Sequence, residues 1–306
     1  MPGARTFISS LLLAAAAAFA QVPDFFPLEV GNVWIYRVRG APPRPGDTTT
    51  TVEVTRAAQF AGVTYYLLSE YRRGEFWVRN DGAGRIFQYD EKAGTESLWY
   101  DFSRKTGDTY PTTLPTCCGR ARVNDTAASK SVALGDFAKA LFQIDYPGVF
   151  QLGITEENFF PYVGLLFRAE NTGGPAMRSQ DLVYAKISGV TVLNASGLGF
   201  GAARASGYVR IFLNNNTGAP VRLVFSSGQT FELTLRDDNG KVLYRWSDGK
   251  GFTLALRPVD LPPGETSWPV MLPDIPGAAT FTAELVTIGP RFTATLPLET
   301  GSPSRP

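Results

Sequence analysis

The chain contains no histidine among its 306 residues. Histidine is the usual general base near neutral pH and a frequent metal ligand. Its absence excludes Ser-His-Asp and Cys-His nucleophile systems and His-ligated metal sites. The sequence also has no P-loop or dinucleotide-binding fingerprint, because the glycines of 197–201 are not set between a strand and a helix. Carboxylates, two cysteines and polar loops remain as candidates for chemistry.

Two carboxylate pairs stand out by spacing, and neither indicates catalysis. Glu156 and Glu157 are adjacent, so their side chains would diverge in a strand. Asp237 and Asp238 precede Asn239 and Gly240, where aspartate commonly bonds the backbone of a hairpin turn. This turn lacks the spacing of a calcium loop. A glycosidase with two distant carboxylates would leave no local pattern, and nothing here indicates one. We therefore predict no catalytic residue, metal or cofactor, and no enzyme.

The only cysteines, Cys117 and Cys118, are adjacent. Their Cα atoms would lie about 3.8 Å apart across a trans peptide, below the usual disulfide range. A vicinal disulfide would therefore form a small, strained ring that is easily reduced. It could stiffen the surrounding loop, or it could act as a redox switch or a rigid ligand-binding hook.

The C-terminal part consists of short alternating segments separated by turn residues. Val209, Ile211 and Leu213 would face one side of a strand, and the same alternation recurs downstream. About eight such strands over roughly ninety residues are typical of an immunoglobulin-like β-sandwich. Phe252, Leu254 and Leu256 fit one of these strands. Trp246 falls in register with the inward residues, so we expect it to be buried between the sheets.

The residues of this region also follow a characteristic order: Asn216, Thr217, Phe225, Ser226, Ser227, Gly228, Gln229, Phe231, Asp237, Gly240, Tyr244, Arg245, Trp246, Ser247, Phe252, Pro263, Gly264, Glu265, Gly277, Phe281 and Leu285. This order resembles the BsuPI-type intracellular proteinase inhibitor family. The resemblance implies a small β-sandwich that inhibits a subtilisin-like serine proteinase. It assigns no inhibitory role to any individual residue.

The preceding part predicts a separate all-β domain that loosely resembles exported bacterial β-domains without an assigned activity. Its short turns favour an antiparallel meander. Its many aromatic residues could form a glycan-stacking surface or simply fill a core. Because Tyr65 and Tyr66 are adjacent, they must face opposite sides of their strand.

The N-terminus has the pattern of a secretory signal peptide. Arg5 precedes an apolar run from Phe7 to Phe19, and the pattern predicts cleavage after Ala20. A retained anchor helix is the alternative. We accordingly predict a secreted or periplasmic protein without a membrane span. The predicted organisation is a signal peptide (1–20), a β-rich domain (21–195), a flexible linker (196–207), a β-sandwich (208–299) and a disordered tail (300–306).

Two functions fit this organisation. The first is a protein-binding module that restrains an extracytoplasmic serine proteinase; the second is a non-inhibitory surface or structural interaction protein. A net charge of +1 does not provide the excess of positive charge that is typical of nucleic-acid-binding proteins. The candidate partner-binding loop is the polar, glycine-containing stretch formed by Ser247, Asp248, Gly249, Lys250 and Gly251. Such a short turn favours docking outside a proteinase cleft or pairing at a strand edge.

Overall fold

The structure is a computed structural model that describes residues 22–40, 49–72, 74–114, 119–148, 152–173, 177–193, 196–205 and 208–298. Its regular elements over these ranges are all strands, which confirms the predicted all-β class. Within the same ranges, no helix is long and apolar enough to cross a membrane. The predicted signal peptide and the tail from 300 onward lie outside the described residues.

The first part of the chain forms thirteen strands over its described residues. They are β1 (Val33–Gly40), β2 (Thr49–Phe60), β3 (Val63–Tyr71), β4 (Gly74–Asn80), β5 (Arg85–Asp90), β6 (Thr95–Asp101), β7 (Thr109–Pro111), β8 (Arg120–Val132), β9 (Gly135–Asp145), β10 (Leu152–Phe160), β11 (Gly164–Thr172), β12 (Met177–Ile187) and β13 (Val190–Val192).

These strands form two antiparallel meanders that share one sheet. The sheet order is β6-β5-β4-β3-β2-β1-β12-β11-β10-β9-β8-β7, so the meanders join where β1 pairs with β12. The outer edges also meet, since the Thr113 backbone N–H donates to the Leu98 carbonyl at 3.0 Å. The Thr112 hydroxyl donates to the Trp99 carbonyl at 2.8 Å. The sheet therefore curls around its own interior.

An aromatic core fills that interior. Phe26 precedes β1 and packs near Tyr71, Tyr100 and Phe159, with ring centroids 5.7 to 6.4 Å away. Tyr65 points to the opposite face, where it is buried in a small cluster with Leu67 and Trp77. These aromatic rings are buried rather than offered as an open stacking surface, which favours the core-filling interpretation.

The second part forms ten strands over its described residues. They are β14 (Leu198–Ala205), β15 (Tyr208–Asn215), β16 (Val221–Phe225), β17 (Phe231–Arg236), β18 (Val242–Arg245), β19 (Arg257–Leu261), β20 (Gly264–Met271), β21 (Thr280–Leu285), β22 (Thr287–Ile288) and β23 (Phe292–Pro297). Strands β14-β15-β20 form one sheet and β18-β17-β21-β23 another, while β16 pairs with β19 and β22.

Within the segment 196–207, which we predicted to be a flexible linker, residues Leu198–Ala205 form a strand. Its strand β14 pairs with β15 from Leu198 opposite Asn215 to Ala205 opposite Tyr208. A glycine-rich composition favours a coil only when the backbone lacks a partner, and β15 supplies one. The division of the chain into two domains stays a prediction.

The predicted alternation produces the second core. Val209, Ile211 and Leu213 of β15 are buried together with Leu233 and Leu235 of β17. On β16, Leu223 enters this core, whereas Val224 points the other way and enters the core of the first part. Both faces of β16 are therefore covered.

Strand β16 also joins the two parts through the backbone. Thr191 and Val192 of β13 pair in parallel with Val221 and Arg222 of β16. The Leu193 backbone N–H donates to the Arg222 carbonyl at 3.0 Å. The large sheet consequently continues from the first part into the second.

Candidate functional site

The predicted partner-binding loop belongs to a longer connection between β18 and β19, which runs from Trp246 to Leu256. Strand β18 lies at the edge of the four-stranded sheet, whereas β19 pairs with β16 in the large sheet. The connection therefore crosses from one sheet to the other. Loops of this kind commonly carry binding residues on a rigid sandwich.

The first part of the connection is a tight polar turn. The Lys250 backbone N–H donates to the Ser247 carbonyl at 3.0 Å, and Gly249 adopts a φ of 75°. Asp248, Gly249 and Lys250 are exposed. Ser247 is half-buried, and its hydroxyl donates to the Glu232 carboxylate on β17. One end of the turn is thus attached to the sheet, and its tip faces solvent.

Trp246 forms the base of this turn. Its ring centroid lies 4.5 Å from that of Phe231 and 5.9 Å from that of Phe252. The Lys250 ammonium lies 3.3 Å from the centroid of the Trp246 ring, within the range of a cation–π contact. Trp246 is only partly buried, so the prediction that it lies buried between the sheets is wrong. Strand β18 ends at Arg245, which places Trp246 at the rim of the core.

The second part of the connection is irregular, although its alternation predicted a strand from Phe252 to Leu256. The Thr253 carbonyl accepts a hydrogen bond from the Gly228 backbone N–H at 3.0 Å. A Cβ on residue 228 would lie 2.7 Å from the Thr253 hydroxyl oxygen, so any larger residue at 228 would force the Thr253 side chain to move. Leu256 packs against the core of the first part.

Leu254 points away from both cores. Its side chain is 96% exposed, compared with 76% for Met271 and 64% for Leu152. Sequence reasoning assigned Leu254 to the inward face of a strand, because it alternates with Phe252 and Leu256. The two glycines at 249 and 251 were a signal against a regular strand at this place.

A second cluster of polar residues lies inside the sheet of the first part. The Glu157 carboxylate accepts hydrogen bonds from Arg168 Nε at 2.8 Å and from the Tyr100 hydroxyl at 3.1 Å. The Tyr146 hydroxyl also donates to this carboxylate. Burial raises the pKa of Tyr146 well above its ordinary value. The carboxylate is thus paired and enclosed, which suits a structural role better than proton transfer.

The adjacent Glu156 and Glu157 diverge as predicted. Glu157 is fully buried with Arg168, whereas Glu156 is half-buried and accepts from Lys130 Nζ at 2.6 Å. Burial alone would lower the pKa of Arg168, but Tyr71 and Glu157 raise it well above its usual value. The two carboxylates therefore do not form an acid/base pair.

The remaining sequence predictions concern the Asp237 turn, the two cysteines and metal binding. The Asp237 side chain accepts from the backbone N–H groups of Asn239 and Lys241, both at 2.9 Å, which is the expected turn bonding. Cys117 and Cys118 lie outside the described residues, so the vicinal disulfide stays a prediction. Across the described ranges, no cluster of three or more His, Cys, Asp or Glu residues could hold a metal ion.

A comparison with known families finds a match in the C-terminal region. Residues 203–289 match the family model described as BsuPI, intracellular proteinase inhibitor. The match confirms the resemblance drawn from the sequence, and it includes the whole connection from Trp246 to Leu256. The search of curated proteins found no match.

The family description corrects the predicted location. The matched family is intracellular by its description, so the prediction of a secreted or periplasmic protein is wrong. The prediction relied on Arg5, the apolar run from Phe7 to Phe19 and a cleavage pattern ending at Ala20. These are short local features, and such a pattern does not by itself establish export.

Proposed function

Because residues 203–289 match the BsuPI inhibitor family, we propose that this protein inhibits a serine proteinase of the subtilisin-like class. The family match is the observation that carries the proposal. Members of an inhibitor family act by binding rather than by catalysis, so the partner is a proteinase and the chain itself needs no catalytic residue. The absence of histidine from the sequence agrees with this role.

The proposed contact is the turn from Ser247 to Gly251. Its exposed tip carries one acidic and one basic side chain, Asp248 and Lys250. Lys250 is held over Trp246, and Ser247 is tied to Glu232, so the turn is ordered before it meets a partner. Such preorganisation reduces the conformational entropy that binding costs.

The test is a titration of a purified subtilisin-like proteinase with the full chain. We expect inhibition at micromolar concentration. Asp248→Ala and Lys250→Ala should each weaken it about fivefold, the size of effect given by a minor interface residue. The matched controls are Asp238→Ala and Lys241→Ala, which remove exposed charges of the same types from the neighbouring β17–β18 turn.

The titration distinguishes an error in the proposed contact residues from an error in the proposed function. Inhibition by the parent that neither substitution changes would retain the activity and remove these two side chains as contacts. No inhibition by the parent would overturn the proposal and favour a non-inhibitory interaction protein.

A further inference from the structure

The exposure of the Leu254 side chain has no explanation in the stability of the fold. Its side chain is 96% exposed, more than any other large apolar side chain in the described ranges. A buried leucine stabilises a fold by removing apolar surface from water, and Leu254 contributes almost none of that stabilisation. Single exposed apolar residues are common on protein surfaces, so exposure alone decides nothing. The backbone on both sides of Leu254, however, is held in place by specific contacts.

The chain is anchored on both sides of Leu254. On the N-terminal side, Phe252 packs near Trp246, and the Thr253 carbonyl is bonded to the backbone of Gly228. On the C-terminal side, the half-buried side chain of Leu256 packs against the core of the first part. The exposed leucine is therefore presented between fixed points that belong to different parts of the molecule. This is the arrangement in which a protruding residue can bind with little loss of entropy.

We propose that Leu254 is the anchor residue that enters the specificity pocket of the inhibited proteinase. This inference rests on the proposed function and names its substrate class: a proteinase whose pocket accepts a large aliphatic side chain. An apolar side chain in an apolar pocket forms the desolvated centre of an interface, and such centres carry most of the binding energy. The polar turn at Ser247–Gly251 then lies beside the anchor as part of the rim.

The geometry around Leu254 changes the mode of docking that the glycine-containing turn alone predicted. A short turn is not extended enough for insertion, and it predicted docking outside the cleft. The segment from Phe252 to Leu256 is held on both sides of Leu254 and presents that side chain for insertion.

The surface next to Leu254 spans both parts of the chain. Leu254 and Leu256 line an open groove of about 450 Å³, and Phe25, Phe102 and Phe142 of the first part line the same groove. A proteinase docked on Leu254 would lie over this groove. The experiment therefore uses the full chain.

The test measures inhibition constants of Leu254→Asp, Leu254→Arg and the parent against subtilisin-like, chymotrypsin-like and trypsin-like proteinases. The parent should inhibit enzymes that prefer large apolar residues. Leu254→Asp should raise the inhibition constant at least about 100-fold, the effect expected for losing a central anchor. Leu254→Arg should shift inhibition towards the trypsin-like enzyme, whose pocket holds an acidic residue. The matched control is Leu152→Asp, at another exposed leucine.

Thermal unfolding of each variant confirms that it is folded, which an exposed position should allow. If the parent inhibits and Leu254→Asp inhibits equally well, the anchor inference is overturned while the proposed function stands. If Leu152→Asp loses inhibition as strongly, the effect is not specific to Leu254, and the inference is again overturned. If the parent inhibits none of the enzymes, the proposed function fails and the inference fails with it.

Discussion

Glu156 and Glu157 show how strongly the tertiary environment distinguishes two adjacent residues of one type. Glu157 is fully enclosed, and Arg168 is 2% exposed. Arg168 Nη2 also lies 2.6 Å from Glu157 Oε1 as a close charge contact. Glu156, one residue earlier, pairs with Lys130 at the surface. A buried ion pair adds little net stability against an apolar alternative, but the loss of one partner leaves an uncompensated charge.

Glu157→Gln should therefore lower the free energy of unfolding by about 3–5 kcal/mol. The neighbouring variant Glu156→Gln is the matched control and should cost less than about 1 kcal/mol, because its ion pair is half-exposed and screened by solvent. Chemical denaturation of the two variants and the parent measures both values. Equal losses for the two variants would contradict the structural role that we give to Glu157.

At the scale of an element, the connection from Trp246 to Leu256 is ordered by side-chain packing rather than by strand pairing. Its alternating apolar residues have the pattern of a strand, but their environments differ. Phe252 packs near Trp246, Leu256 packs half-buried against the first core, and Leu254 faces solvent. A period-two pattern indicates a strand only if a neighbouring strand accepts the backbone hydrogen bonds.

Trp246→Ala should loosen this connection more than it destabilises the fold. Because the ring is half-buried, we expect a loss of about 2 kcal/mol, below the range for a fully buried tryptophan. Inhibition should weaken as well, since Trp246 contacts Phe252 and Lys250. Trp268→Ala, at another half-buried tryptophan on β20, should cost similar stability and leave inhibition unchanged. Urea unfolding and proteinase titration test the pair, and the same loss of inhibition in both variants would contradict the role of Trp246.

On the scale of the whole molecule, β16 connects the two parts physically. Val224 on one of its faces and Ile288 of β22 contribute to the first core, while Leu223 contributes to the second. Asp136 of the first part also forms an isolated antiparallel bridge with Gly289. Opening either part would expose apolar surface of the other.

We therefore expect the chain to unfold in a single cooperative transition. Far-UV circular dichroism and tryptophan fluorescence should give coincident curves. Val224→Ala should move the whole transition by about 2 kcal/mol, from the lost transfer energy and the cavity that remains. The control Val63→Ala, at an exposed valine, should change stability by less than about 0.5 kcal/mol. A curve that separates into two steps in the parent would contradict this prediction.

The amino-acid sequence was enough to predict the all-β class, the inward faces of β15, β16 and β17, and the likeness of the C-terminal region to an inhibitor family. These features follow from local alternation and from the order of residues along one chain. Strand β8 was not predicted, because its buried positions include the small residues Ala121 and Ala128, which give a weak apolar pattern. Strand β14 was not predicted, because its glycines and alanines are typical of a linker.

The residues that share a site became known from the folded structure. It placed Glu157 beside Arg168, bonded Gly228 to Thr253, packed half-buried Leu256 against the first core and left Leu254 exposed. Sequence patterns could not predict these contacts, because each of them depends on a partner far along the chain. Burial and backbone pairing are properties of that partner's surface as much as of the residue itself, and a local pattern contains no information about it.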